Sequence, residues 1–168
     1  MKFLLIILSL TSFAFTDLLK PDSANLRTIH ILFEWEQEPD AVEYNIQASN
    51  SINFNNLYIN TNTASAVYIE KEAFNWGNNV YWRVRPIYSD GSSGDWIDTQ
   101  YFTIGERILA DLNVDVYNED LLQDGLVMYS QFAPYLATGV IDKYGNEIWN
   151  TQQSYVNHIN EFGQVYGI

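Results

Sequence analysis

Apolar and polar residues alternate along most of this chain with a period of two. In "IHILFEWE" the residues Ile29, Ile31, Phe33 and Trp35 share one side, while His30, Glu34 and Glu36 take the other. Successive side chains of a strand must divide in this way. "VEYNIQAS" repeats the pattern, with Val42, Tyr44, Ile46 and Ala48 inward against Glu43, Asn45 and Gln47. Pro39-Asp40 supplies the turn between the two runs. A weaker strand over residues 57–60 closes an Asn-rich stretch, "AVYIE" follows, and Phe74 with the turn "WGNN" leads into the clearest strand of all. In "VYWRVRPIY" the inward set is Val80, Trp82, Val84 and Pro86, and the outward set is Tyr81, Arg83, Arg85 and Ile87. "SDGSSGD" is a loop by composition, and "WIDTQYFTI" predicts a last strand ending at Gly105. Helical periodicity is scarcely present, so the chain reads as all-β.

About seven short strands within about ninety residues predict an immunoglobulin-like sandwich. Burial of Trp35, Trp82 and Tyr44 between its sheets would contribute about 1.5–3 kcal/mol each. Beyond Gly105 the texture changes to an acidic connector, residues 106–119. Its Asp111, Asn113 and Asp115 have the spacing that opens a calcium loop. Such a loop needs Gly at its sixth position and Glu at its twelfth, where this chain has Val116 and Leu122. The connector is therefore read as an acidic linker or edge strand. Residues 120–168 then hold short strands in "GLVMYSQFA", "ATGVIDK", "NEIWN" and "INEFGQVYGI", parted by turn residues. "GVIDKYGNEIWN" predicts two strands folded over a Lys-Tyr-Gly-Asn turn. Four such strands read as a propeller blade, and a lone blade leaves both faces bare, so the chain is expected to be truncated.

Two resemblances follow from these residues. "FEWE…EYNIQAS…FNWGNNVYWRVRPIYSDGSSGDW…YFTI" resembles a bacterial fibronectin type III domain over residues 18–105. Trp35 stands for the second-strand Trp, Tyr44 for the third-strand Tyr, and Phe74 and Gly77 for the lead into the sixth strand. One departure is Val80, which occupies the place of the family's corner Tyr; unless Tyr81 reaches around, the corner hydrogen bond is expected to be absent. "DGLVMYSQFAPYLATGVIDKYGNEIWN…EFGQVYGI" resembles the start of the bacterial aryl-sulfate sulfotransferases over residues 120–168. That resemblance implies a propeller whose catalytic His and Arg lie in later blades, so it carries no catalytic residue onto this chain. The expected architecture is thus a fibronectin type III-like sandwich over 17–105, followed by the first-blade segment of a truncated propeller.

Composition narrows the setting. "MKFLLIILSLTSFAFT", residues 1–16, reads as a cleavable export signal, with Lys2 ahead of a short apolar run and Ala14 and Thr16, or Ser12 and Ala14, flanking the cut. Such a leader places the protein in the periplasm, on the cell surface or in the medium, with no integral membrane segment after cleavage. Cys is absent, which excludes disulfides, a lipoprotein anchor and a thiol nucleophile. The net charge of -13 repels phosphate backbones, so nucleic acid is not an expected partner.

Candidate chemistry is sparse. Only His30 and His158 exist, and no third ligand stands at zinc spacing, so no metal and no cofactor is expected. His30 reads as a plain surface residue on an outer strand face, and His158 likewise unless it faces a propeller channel. Arg83 and Arg85 read as ion-paired surface residues. Tyr81, Tyr88 and Trp96 flank the loop over 89–95 and are the candidate contacts for a glycan or a protein, against the plainer reading in which Trp96 caps the core. Three functions stay open: the N-terminal part of an exported sulfotransferase-like enzyme, inactive by itself and able to oligomerise through a full propeller; a non-enzymatic surface protein that binds glycan or protein through its sandwich; or a propeller that only binds.

Overall fold

The computed structural model describes residues 17–22, 24–109, 118–121, 125–133, 135–160 and 164–168. The leader over 1–16 and the Asp111-Asn113-Asp115 segment lie outside them. Among the described residues the regular structure is strand, apart from one 3-10 turn at Glu119–Leu121. No described helix is long and apolar enough to cross a membrane.

The first eight strands are β1 (Leu18–Lys20), β2 (Asn25–Leu26), β3 (Ile31–Trp35), β4 (Ala41–Ser49), β5 (Leu57–Thr63), β6 (Val67–Glu70), β7 (Asn79–Tyr88) and β8 (Gln100–Ile104). They form two sheets, one in the order β1-β3-β6 and the other in the order β2-β8-β7-β4-β5. Neither is closed into a barrel. The N-terminal stretch serves both: β1 runs antiparallel to β3, and β2 then runs parallel to β8. One core joins the two sheets. Phe33, fully buried, meets the rings of Trp82 at 5.0 Å, Phe102 at 6.0 Å, Phe74 at 6.1 Å and Tyr68 at 6.3 Å. The pairs with Trp82 and Phe102 are edge-to-face, a geometry that adds about 0.5–1.5 kcal/mol per pair to the area buried.

The expected alternation holds for β3 and for β7, where Val80, Trp82 and Val84 are fully buried. Several positions depart from it. A register shift between Ala41 and Glu43 turns Val42 outward, to 50% exposure. Asn45 is buried instead of exposed, because its amide donates to Asn60 Oδ1 (3.1 Å), Asn62 Oδ1 (3.0 Å) and the Thr61 carbonyl (3.2 Å). The Asn-rich strand extends to Thr63, three residues beyond the segment its apolar content marks. β8 begins at Gln100 and not at Trp96. The chain ahead of it is held irregularly, with Ile97 N on Val84 O at 2.7 Å. At the corner, Tyr81 does not reach around; its ring lies on Tyr101 at 4.9 Å. The corner is tied by backbone instead, Gly77 N donating to the carbonyls of Ile104 and Gly105.

Residues beyond the connector form a three-stranded antiparallel sheet, β11-β10-β9, from β9 (Val127–Gln131), β10 (Ala137–Ile141) and β11 (Glu147–Gln152). A hairpin of β12 (Val156–Ile159) and β13 (Val165–Gly167) follows. The turn between β10 and β11 forms where the sequence places it. Asp142 Oδ1 accepts the amides of Tyr144 (2.8 Å) and Asn146 (2.9 Å), and Gly145 takes a φ of 86° that other residues avoid.

Tyr68 and Glu70, at the end of β6, give a titration that can be followed directly. Burial, together with the Tyr68 hydroxyl's bond to Glu70 Oε2 (2.8 Å) and that carboxylate's charge, pushes the phenol up to about 12. Its proton is bound more tightly in the folded than in the unfolded chain, so its contribution to stability is present below pH 10 and lost as pH rises toward 12. In a spectrophotometric phenolate titration, Tyr68→Phe is expected to remove one group from the high-pH end of the curve. Loss of a group near pH 10 instead would contradict the bond.

Candidate functional site

The two parts of the chain meet along a seam built from backbone. Residues 27–29, between β2 and β3, lie against the edge of β11: Ile29 N donates to Ile148 O (3.0 Å), Asn150 N donates to Arg27 O (2.9 Å), and Thr28 bridges Trp149. The Arg27 guanidinium adds a bond to Gln152 Oε1 at 3.1 Å. The edge of β11 is therefore paired, with amides and carbonyls that would otherwise face solvent engaged across the junction.

Glu147 locks this seam. Its carboxylate is almost wholly buried and accepts from Leu109 N (2.8 Å), Ile108 N (3.2 Å) and Asn150 Nδ2 (2.6 Å), with Arg107 Nε at 3.8 Å. Its own carbonyl accepts from the Trp76 indole at 2.9 Å. Within the start of the expected acidic connector, Ile108 and Leu109 are thus held against Glu147, while Glu106 and Arg107 stay exposed. Leu109 is buried, and it fits only because residue 139 is glycine; a Cβ there would collide with the Leu109 side chain.

Beside the seam opens a cleft of about 490 Å³. One wall is the loop after β6, the other is the turn between β10 and β11, and His30 and Arg107 stand between them. Both walls are pre-set. Glu70 Oε1 accepts the amides of Lys71, Glu72 and Ala73, which shapes the first. Burial pushes the Glu70 carboxyl up, but these amides and the Tyr68 hydroxyl outweigh it and hold the group below the ordinary carboxylate range. Asp142 shapes the second through its turn. His30 is half-buried here, so the plain surface role expected from sequence is corrected. Burial and the charge of Lys71 hold its imidazole below the usual value, while Asp142 pulls the other way. His158, by contrast, is exposed, its ring beside Tyr166 at 5.8 Å.

Of the aromatic residues singled out from sequence, Tyr81 and Trp96 lie elsewhere, on the outward face of the five-stranded sheet. Tyr81 is spent on Tyr101, and Tyr88 lies beside the loop at Gly94. Trp96 neither caps the core nor offers a bare platform: the guanidinium carbons of Arg83 and Arg85 stand 4.0 and 4.5 Å from its ring centroid. Arg83 also covers Phe54 at 3.9 Å and donates twice to Gln47 Oε1 (2.8 and 3.1 Å). Among the described residues neither arginine has a carboxylate within salt-bridge distance, so the expected ion pairs are replaced by cation–π contacts. Burial and Arg85 hold the Arg83 pKa below its usual value.

No family model, curated protein or solved structure matches this chain. The described residues include no cluster of three or more His, Asp or Glu able to hold a metal ion. Sequence reasoning missed Glu147, Trp76 and Lys71, which gain their setting from contacts across the chain and carry no local signal beyond residue type.

Proposed function

We propose that this chain is the N-terminal accessory part of an exported sulfotransferase-like protein, in which a fibronectin type III-like sandwich holds the first blade of a propeller in fixed orientation. The observation that carries this reading is the seam: residues 27–29 bond to the edge of β11 through two backbone hydrogen bonds and a bridge at Thr28 and Trp149. Support for the sandwich comes from the strand orders β1-β3-β6 and β2-β8-β7-β4-β5 around one core. Support for further blades comes from apolar side chains left uncovered at and beside β9, with Leu126, Val127 and Tyr135 each at least half exposed. Apolar groups so placed are the kind that a neighbouring blade buries.

The test compares the 168-residue chain with the product of a longer reading frame, if the source DNA continues past Ile168. The longer protein is expected to turn over an aryl sulfate such as 4-nitrophenyl sulfate in the presence of a phenol, and the 168-residue chain is expected not to. Turnover by the chain alone, or a stop codon directly after Ile168, would overturn the reading. A second reading, a non-enzymatic exported binding protein, is favoured by the outward sheet face, where Arg83, Arg85 and Trp96 lie beside the amides of Asn45 and Gln47. It is the one left standing if no propeller follows.

A further inference from the structure

The geometry points to a second feature of the seam: the cleft beside it is a binding site for a neutral saccharide of one or two rings. Its volume of about 490 Å³ falls within the roughly 300–1,000 Å³ of small-molecule sites. The Trp76 indole supplies the apolar surface. One part of this side chain packs on the core and its N–H is anchored to Glu147 O, so the ring lining the cleft is held in place. Unlike Trp96, it has no cation or second ring against it among the described residues.

The polar lining suits hydroxyl groups. Lys71 offers donors, Glu72 acceptors, and Asn75 both, and none of these side chains is engaged in a hydrogen bond with another described group. Burial and the Lys71 charge favour the neutral form of the His30 imidazole, in which one nitrogen donates and one accepts. A sugar hydroxyl likewise donates and accepts, and its ring C–H face is apolar enough to lie on an indole. Charge argues for neutrality. The lining cations Lys71 and Arg107 are set against Glu72, Asp142 and Glu147, and the chain as a whole carries -13. Such a field gives no purchase to an acidic ligand. Glu70 and Asp142 pre-set the two walls, and the backbone pairing of residues 27–29 with β11 ties the two parts of the chain together beside them, so little ordering is left to oppose binding.

This site does not depend on whether a propeller follows, and its test uses the 168-residue protein directly. Cellobiose, chitobiose and mannobiose are titrated separately, with digalacturonate and 4-nitrophenyl sulfate as acidic probes, and amide and indole shifts are followed by NMR. At least one neutral disaccharide is expected to shift the Trp76 indole and the amides of 71–75 at millimolar concentration. Lys71→Ala and Asn75→Ala, both exposed positions, are expected to weaken that binding about tenfold together while leaving the fold intact. Trp76→Phe keeps a stacking ring and is expected to bind more weakly, while Trp96→Ala binds unchanged. Three results would overturn the assignment: no shift with any neutral sugar, shifts confined to Tyr81 and Trp96, or binding of the acidic probes alone.

Discussion

Phe33→Ala is expected to cost about 3–5 kcal/mol of stability, the range for emptying a large aromatic site in a packed core. Phe33 sits where the two sheets meet, in contact with four other rings, and its removal leaves Trp82, Phe74, Phe102 and Tyr68 facing a void. A domain of ordinary stability has only about 5–15 kcal/mol to lose. With no Cys in the chain, no disulfide limits the unfolded state. The measurement is urea unfolding followed by tryptophan fluorescence. Leu32→Ala is the control, since Leu32 is the preceding residue of the same strand but is 44% exposed, and it should stay within about 0.5 kcal/mol. Equal effects at the two positions would mean that β3 does not bury the face assigned to it.

Glu147→Ala should have the second-largest effect, and it should be local. The substitution leaves the amides of Ile108 and Leu109 and the Asn150 side chain without their charged acceptor. Hydrogen bonds to a charged group contribute about 1.5–3 kcal/mol, so the seam is expected to weaken by on the order of 3 kcal/mol or more. Hydrogen exchange at Ile108, Leu109 and the Trp76 indole should accelerate, and protease cutting between Gly105 and Gly125 should increase. The sandwich core, which makes none of these contacts, should unfold at an unchanged denaturant concentration. Glu147→Gln retains one acceptor oxygen and should lie between the two. If exchange at Leu109 is unaltered in Glu147→Ala, the carboxylate does not hold the seam.

These predictions separate two kinds of information. Side chains of a strand alternate because the backbone is pleated, and that is a property of neighbouring residues. The inward positions of β3, Tyr44, Ile46 and Ala48 in β4, and the buried set of β7 were therefore legible from alternation alone. So was the turn at 142–146, where Asp, Gly and Asn supply their own hydrogen bonds within five residues. Val42 and Asn45 escaped the same rule for definable reasons. A register shift depends on the partner strand, and a buried amide depends on acceptors that β5 brings to it.

The candidate sites lay further beyond reach. Trp96 carries the same letters whether it caps a core, forms a platform or stacks under two guanidinium groups. Only the crossing of the 89–99 segment over β7 selects the last. Glu147 opens a strand like many surface glutamates, and it is buried because Leu109 and Asn150 close over it. The pairing of residues 27–29 with β11 joins segments more than a hundred positions apart, as the bond from Arg27 to Gln152 illustrates. Local pattern sets which face of a strand is apolar. Which strand edge finds which partner, and which carboxylate loses its water there, is settled only when the distant segments meet.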